Sequence, residues 1–309
     1  KASSHIFMVD MYNEDGPWTG NGWLYAFQDI QSGIDAAAAA GGGEVWVADG
    51  LYIPALDPII VLKPGVQVYG GFFGDETTRD QRDWNEFPTI IDGANLHRCV
   101  TGADNAILDG FTIRNGSAAT GAGLYNNATS PEIANCLFTG NVATGDGGAA
   151  ACNTSSASFY NCIFANNTAS GNGGAVYNTA SSATFTGCVF LRNAAQYGAA
   201  VYDNESNSIL TSCNFHQNAA AINGGGLYIG PSSTTETDNC MFLQNAASSG
   251  GGIFNGSAAS LTAINCVFTQ NTAAYGGGLS NNNVLTAINC TFTANAASGF
   301  GGAIRNGNA

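Results

Sequence analysis

The chain has 309 residues, with 22 acidic against 8 basic side chains, a formal charge of −14, 42 glycines and 9 cysteines. So acidic a surface repels nucleic acid and anionic lipid, which argues against partners of those kinds. No stretch approaches the roughly 20 uninterrupted apolar residues of a membrane-spanning helix; the nearest, the alanine run 36–40, ends in three glycines.

In chain order, the first element is the strand-like "HIFMVD" at 5–10. It follows a start at Lys1 without a methionine or apolar leader, which fits a mature exported product and fits a trimmed chain equally. "GIDAAAAAGGGEVWVADGLYI" then reads as a short helix, a glycine stop and a strand, the helix plugging the end of whatever follows. Three loose strand clusters come next, around Val45 to Ile53, Ile59 to Tyr69 and Thr89 to Ile91. Among them the loop "GDETTRDQRDW" gathers Asp75, Glu76, Asp80 and Asp83 with Arg79 and Arg82. It reads either as a ligand-binding loop or as a salt-bridged flap with Phe72, Phe73 and Trp84 turned inward. All four tryptophans (Trp18, Trp23, Trp46, Trp84) and both lysines (Lys1, Lys63) precede residue 105, where composition changes.

From "LDGFTIRNG" at 108–116 the sequence becomes periodic. Seven copies of Cys-x-Phe-x-x-Asn begin at cysteines 136, 162, 188, 213, 240, 266 and 290, spaced by 24 to 27 residues. Between them two or three small residues precede an aliphatic one, in a slot assigned to Leu124, Ala151, Val176, Val201, Leu227, Ile253, Leu279 and Ile304. One such unit cannot bury its own apolar face, whereas a stack can. The Cys and Phe stand two apart among Thr, Ser, Asn and Val, with glycine as punctuation, which is the pattern of short strands and turns. The fold expected is all-β, a right-handed parallel β-helix with about eight regular rungs of about 26 residues. Residues 1–105 form its N-terminal cap and leading rungs, and 106–309 its regular repeats, in one continuous solenoid. Equal positions then stack about 4.8 Å apart: Phe138 to Phe292 as an aromatic column, and Asn141 to Asn295 at the turns.

The Phe-x-x-Asn copies, with "GGAV" at 173, "GGGL" at 224 and 276, "GGGI" at 250 and "GGAI" at 301, resemble the repeats of chlamydial polymorphic outer-membrane proteins and related secreted bacterial β-helix proteins. The resemblance covers about residues 106 to 306, and the segment 65–84 also looks like the leading region of such proteins. It implies an exported, surface-associated β-helix, often adhesive and without a demonstrated reaction. The membrane barrel that ends autotransporter members has no counterpart here, since no alternating strands of about 10 residues occur.

The regular stack is poor in catalytic groups. A polysaccharide lyase needs a base and a charge-neutralising cation, and the stack offers only Arg114, Arg192 and Arg305. A hydrolase needs two carboxyl groups about 5 to 9.5 Å apart. Glu236 and Asp238 stand two apart on an outward strand face, with Asp203 and Glu205 placed one rung earlier; an acidic solvated patch is the plainer reading. The cysteines read as buried small hydrophobes, lacking the Cys-x-x-Cys pairs of zinc sites. Cys152 is assigned to the column of Tyr125, Tyr177 and Tyr202, and Cys99 to no role. His5, His97 and His216 are isolated.

The sequence therefore predicts a non-catalytic extracellular or cell-surface scaffold, adhesive or structural, with no catalytic, cofactor-binding or metal-binding residues and no cofactor. The alternative is a carbohydrate-active enzyme, lyase or hydrolase, on the same fold. Partners expected are a surface receptor, a glycan, or a second copy stacked end to end into fibres. In that assembly the last rung, near Phe292 and Ile304, is left open, and "HIFMVD" is the pairing segment.

Overall fold

The computed structural model describes residues 5–14, 16–53 and 57–307, so the expectations resting on Lys1 and Ala309 lie outside the described residues. The chain coils through about ten turns. Sheet A holds eleven parallel strands from Ile6–Val9 to Val284–Ile288; sheet B holds ten, from Gly50–Tyr52 to Thr291–Thr293. Sheet C holds ten, from Ile60–Val61 to Ile304–Asn306. A shorter fourth ladder, sheet D, starts at Ser117–Thr120 and resumes at Thr272–Tyr275 after single bridges through Ala246. One turn shows the order: Ser158–Tyr160 in A, Ile163–Ala165 in B, Thr168–Ala169 in D and Val176–Thr179 in C. Parallel crossovers of this kind coil right-handed because strand twist favours that hand. The fold expected from the repeats is the one found.

The strands are short because each is bounded by a residue that turns the chain. At Gly173 (φ 63°) a Cβ would collide with the Val176 carbonyl oxygen, so the first glycine of the Gly-Gly-Ala motif is required by the corner between D and C. Where B meets D, the turn is locked by the asparagine ladder. The Asn167 amide Nδ2 donates to Phe138 O (3.0 Å) and to Asn193 Oδ1 (3.1 Å), and Asn193 repeats this toward Phe164 O and Asn218 Oδ1. From Asn167 onward each Oδ1 also accepts the backbone N–H of the preceding ladder asparagine, as Asn193 Oδ1 does from Asn167 (3.0 Å).

The core is the space inside the coil. Phe138, Phe164, Phe190, Phe215, Phe242 and Phe268 are fully buried, and with the half-buried Phe292 they stack with ring centroids 5.0, 4.9, 4.7, 4.5, 4.8 and 4.5 Å apart. Such offset contacts add about 0.5–1.5 kcal/mol per pair to burial. A second column, Phe159 over Phe185 at 5.0 Å, meets the first edge-on and was not read from the sequence.

The helix Ile30–Ala39 buries Ile30, Gly33, Ile34 and Ala37 among Val9, Val45 and Val66, covering the N-terminal end of the core as expected. Its N-terminus is capped by Asp29, whose carboxylate accepts the Ser32 N–H at 2.8 Å. At the other end Val284, Ile288 and Phe300 are 55%, 52% and 72% exposed.

Three expectations about position are corrected. The aliphatic slot in the second repeat is Ala150, paired with Leu124 and Val176, and not Ala151, which pairs with Tyr125 and Tyr177. Cys152 therefore lies in the inward column of Asn126, Asn178 and Asp203, outside the tyrosine column. "HIFMVD" is not a free pairing edge. Its strand pairs with Gly43–Ala48 on one side, while on the other Met8 N donates to Gly20 O (3.0 Å) and Met8 O accepts from Phe27 N (2.8 Å).

Candidate active site beneath the flap

The loop after Val66–Phe72 folds back over the outer face of sheet A. It is built to hold its shape. The buried Glu76 carboxylate accepts the backbone N–H groups of Phe73, Gly74 and Asp75 at 2.6, 3.0 and 3.1 Å. Gln81 Oε1 accepts those of Thr77 and Thr78 at 2.8 and 2.9 Å, closing the single helical turn Arg79–Gln81. Phe72 is buried against Trp46 (4.9 Å between centroids), whereas Phe73 is 59% exposed and packs on Phe87, so only part of the expected inward packing is present.

Both arginines of the flap reach the first rungs. Arg82 Nη2 lies 2.8 Å from Asp109 Oδ2, and its Nη1 donates to the carbonyls of Gly70 and Asp109. Its guanidinium sits 5.0 Å from the Tyr69 ring centre and 4.8 Å from that of Trp84. This side chain is only 9% exposed and makes three hydrogen bonds to the first rungs, and it anchors the flap. Arg79 is different: 45% exposed, 4.4 Å above the Tyr69 ring, with Nη1 3.1 Å from Glu44 Oε1. Glu44 Oε2 also accepts the Trp46 indole N–H at 2.7 Å. Burial pushes the Tyr69 phenol up, the Arg79 charge opposing it, so Tyr69 stays protonated beneath the arginines. The Thr78 side chain holds the exposed Asp80 carboxyl below its usual range.

Between the flap and sheet A opens a cleft of about 780 Å³, lined by Ile6, Glu44, Trp46, Asp80 and both arginines, with Trp84 at its edge. Trp84 also bounds a second groove of about 490 Å³ that runs along the corner between sheets A and B past Asn85, Asn135, Leu137, Asn161 and Ile163. The flap residues were singled out in the sequence. Glu44, Trp46, Tyr69 and Asp109 were not, because nothing local marks them; Trp46, Tyr69 and Asp109 come together through their parallel register on three successive strands, and Glu44 stands two residues before Trp46 on the same strand.

The other acidic candidates do not gather. Glu236 and Asp238 share an outward face of Thr234–Asp238, as expected, and Asp238 Oδ1 accepts from Asn265. Asp203 does not join them. It points into the coil, fully buried, accepting hydrogen bonds from Asn178 Nδ2 (2.9 Å), Ser208 Oγ (2.8 Å) and Thr235 Oγ1 (2.7 Å). Glu205 lies in the exposed turn after Val201–Asn204. All nine cysteines are free, eight buried and Cys290 half-buried. Among the described residues no cluster of three or more His, Cys, Asp or Glu side chains is arranged to hold a metal ion. No described helix is long and apolar enough to cross a membrane.

Comparison with known proteins bears on fold first. The sequence family described as the right-handed beta helix region matches residues 89–225. No curated protein sequence matches. Among solved structures, pectate lyase Pel9A is similar over 93% of this chain and 78% of its own, at 15% identity and a TM-score of 0.55. The A-module of the Azotobacter vinelandii mannuronan C-5 epimerase AlgE6 is similar over 90% and 92%, at 15% identity and a TM-score of 0.34. Tailspike gp49 of Acinetobacter baumannii bacteriophage Fri1, a capsular polysaccharide depolymerase, is similar over 93% and 55%, at 14% identity and a TM-score of 0.33. The expectation that the chain is not an enzyme is corrected by the fold it shares with pectate lyase Pel9A: the same β-helix carries catalysis there, so the fold gives no ground for a non-catalytic scaffold. The chain is a right-handed parallel β-helix repeat protein.

Proposed function

We propose that this β-helix is a carbohydrate-active enzyme that cleaves a glycan held between the flap and the outer face of sheet A. The observation that carries the reading is the cleft itself. Two carboxyl groups, Glu44 from the sheet and Asp80 from the flap, line one open space with the half-exposed Arg79 guanidinium. Glycosidic cleavage by two carboxyl groups needs one on each side of the scissile bond, and the cleft takes one from the sheet and one from the flap. Each Glu44 oxygen keeps a lone pair after accepting from Arg79 and Trp46. Arg79 supplies donors to a substrate oxygen and Trp84 an aromatic wall, the mixture of apolar surface and few polar groups that a ligand cleft uses. The pectate lyase similarity supports the fold's fitness for this work. A polysaccharide substrate fits a protein that works outside the cell.

The test incubates the protein with neutral and uronate-containing polysaccharides and reads new reducing ends and ultraviolet-absorbing unsaturated ends. Cleavage of at least one polymer is expected, reduced 100-fold or more, on the order of a lost acid–base group, by Glu44→Gln or Asp80→Asn. Unsaturated ends identify elimination, and reducing ends alone identify hydrolysis. Products from none of the polymers, or activity indifferent to both substitutions, would sink the reading.

A further inference from the structure

The groove beyond Trp84 contains a pattern that the flap cleft does not explain. At the corner between sheets A and B every rung passes through one residue with left-handed backbone: Gly110 (φ 84°), Asn135 (51°), Asn161 (50°) and Gly187 (66°) in the rungs nearest the flap. Asparagine is among the few side chains that tolerate this conformation, and at an outer corner it presents its amide to solvent. Asn135 Nδ2 donates to Asp109 Oδ1 at 2.9 Å, and Asn161 Nδ2 to Asn135 Oδ1 at 3.5 Å, the long limit of a hydrogen bond. Alongside, sheet B turns Leu137 and Ile163 outward in register with Thr112, and Ile163 is 42% exposed. An exposed aliphatic stripe therefore runs beside an amide column, with Trp84 at the end that adjoins the cleft.

We infer that this corner is a binding track for a neutral glycan chain, leading into the flap cleft. A sugar ring has an apolar C–H face and a rim of hydroxyls, and the corner offers aliphatic and indole surface for the one and amide donors and acceptors for the other. None of the residues that line the groove is basic. The adjacent Asp109 is already tied to Arg82 and Asn135, and the whole chain at −14 repels polyanions. Uncharged sugars suit such a surface and uronates do not. Asn135 and Asn161 place the amide on two successive rungs, at the strand spacing of about 4.8 Å, so the track meets more than one point along an extended chain.

The inference rests on the carbohydrate-active reading, and its test separates the two. Neutral β-linked glucose and mannose oligomers, from dimer to hexamer, and matching galacturonate oligomers are titrated into the intact protein. The asparagine side-chain amides of Asn135 and Asn161 and the indole of Trp84 are followed by NMR. Affinity for neutral oligomers is expected to rise with length, with shifts at all three residues. The double substitution Asn161→Ala, Ile163→Ser should weaken the hexamer roughly fivefold to tenfold, one or two hydrogen bonds' worth. Asn161→Gln alone, which keeps the amide but lengthens the stem, serves as the control for folding. Oligomers that bind or are cleaved at the cleft without shifts at Asn161, or galacturonate binding tighter than neutral sugar, overturn the track and leave the enzyme reading standing. Binding by none of these oligomers overturns the track, while the enzyme reading stands or falls on the polysaccharide assay.

Discussion

Asn193→Ala tests whether the asparagine ladder, rather than phenylalanine packing alone, holds successive rungs together. Asn193 is 1% exposed and takes part through its side chain in four hydrogen bonds: Nδ2 to Phe164 O (2.8 Å) and to Asn218 Oδ1 (3.0 Å), and Oδ1 from Asn167 N (3.0 Å) and Asn167 Nδ2 (3.1 Å). Alanine removes all four. Asn167 Nδ2 keeps Phe138 O, and Asn218 Oδ1 keeps the backbone N–H of residue 193, but the buried Asn167 N–H loses this acceptor. Four hydrogen bonds at about 0.5–1 kcal/mol net each and a stranded donor at about 1–3 give an expected loss of about 3–7 kcal/mol. In a solenoid that loss stays with the neighbouring rungs. Hydrogen exchange read by mass spectrometry should therefore show weakened protection around residues 164–168 and 190–219, while Val66–Phe72 and the flap keep theirs. Asn193→Asp keeps the acceptor but aims a carboxylate at Phe164 O and Asn218 Oδ1, so its damage should be greatest at neutral pH and ease as acid protonates it. A loss under about 1 kcal/mol, on the scale of a single exposed hydrogen bond, or a uniform loss of protection, would refute the reasoning.

Burial raises the carboxyl of Asp203 above its ordinary value, its three hydrogen-bond donors only partly offsetting this. Its contribution to stability is therefore greatest below the ordinary carboxylate value, falls as pH rises from there through the folded value, and levels off above it. Asp203→Asn, which matches Asn178 and Asn255 in the same column, should raise the melting temperature at neutral pH and remove this part of the slope; a lower melting temperature at neutral pH would mean that the carboxylate is needed. Burial also pushes the thiols of Cys136 and Cys152 up to about 12. Native protein should thus resist alkylation except at the half-buried Cys290, and reductant should leave the melting curve unchanged, since all nine cysteines are free; a clear fall on reduction would show cross-linking.

What the sequence determined by itself is whatever repeats. A spacing of 24 to 27 residues between like side chains can be satisfied only by a coil in which like stacks on like, so the phenylalanine column, the asparagine ladder and the buried cysteines were legible from periodicity. The same logic slipped by one residue at Ala150–Ala151–Cys152, because the alternation that tells inside from outside is carried by side-chain size and polarity, and consecutive small residues carry neither. It failed again at Asp203, whose charge argued for the surface while its register with Asn178 turned it inward, where Ser208 and Thr235 wait as donors. The charged loop was legible in the sequence as a ligand-binding loop or a flap, but the residues it meets on the coil were not. Glu44, Tyr69, Arg79, Arg82 and Asp109 are scattered over the irregular leading rungs, where no repeat constrains them, and only the parallel register of sheet A and the fold-back of one loop bring a carboxylate and an arginine 35 positions apart to 3.1 Å.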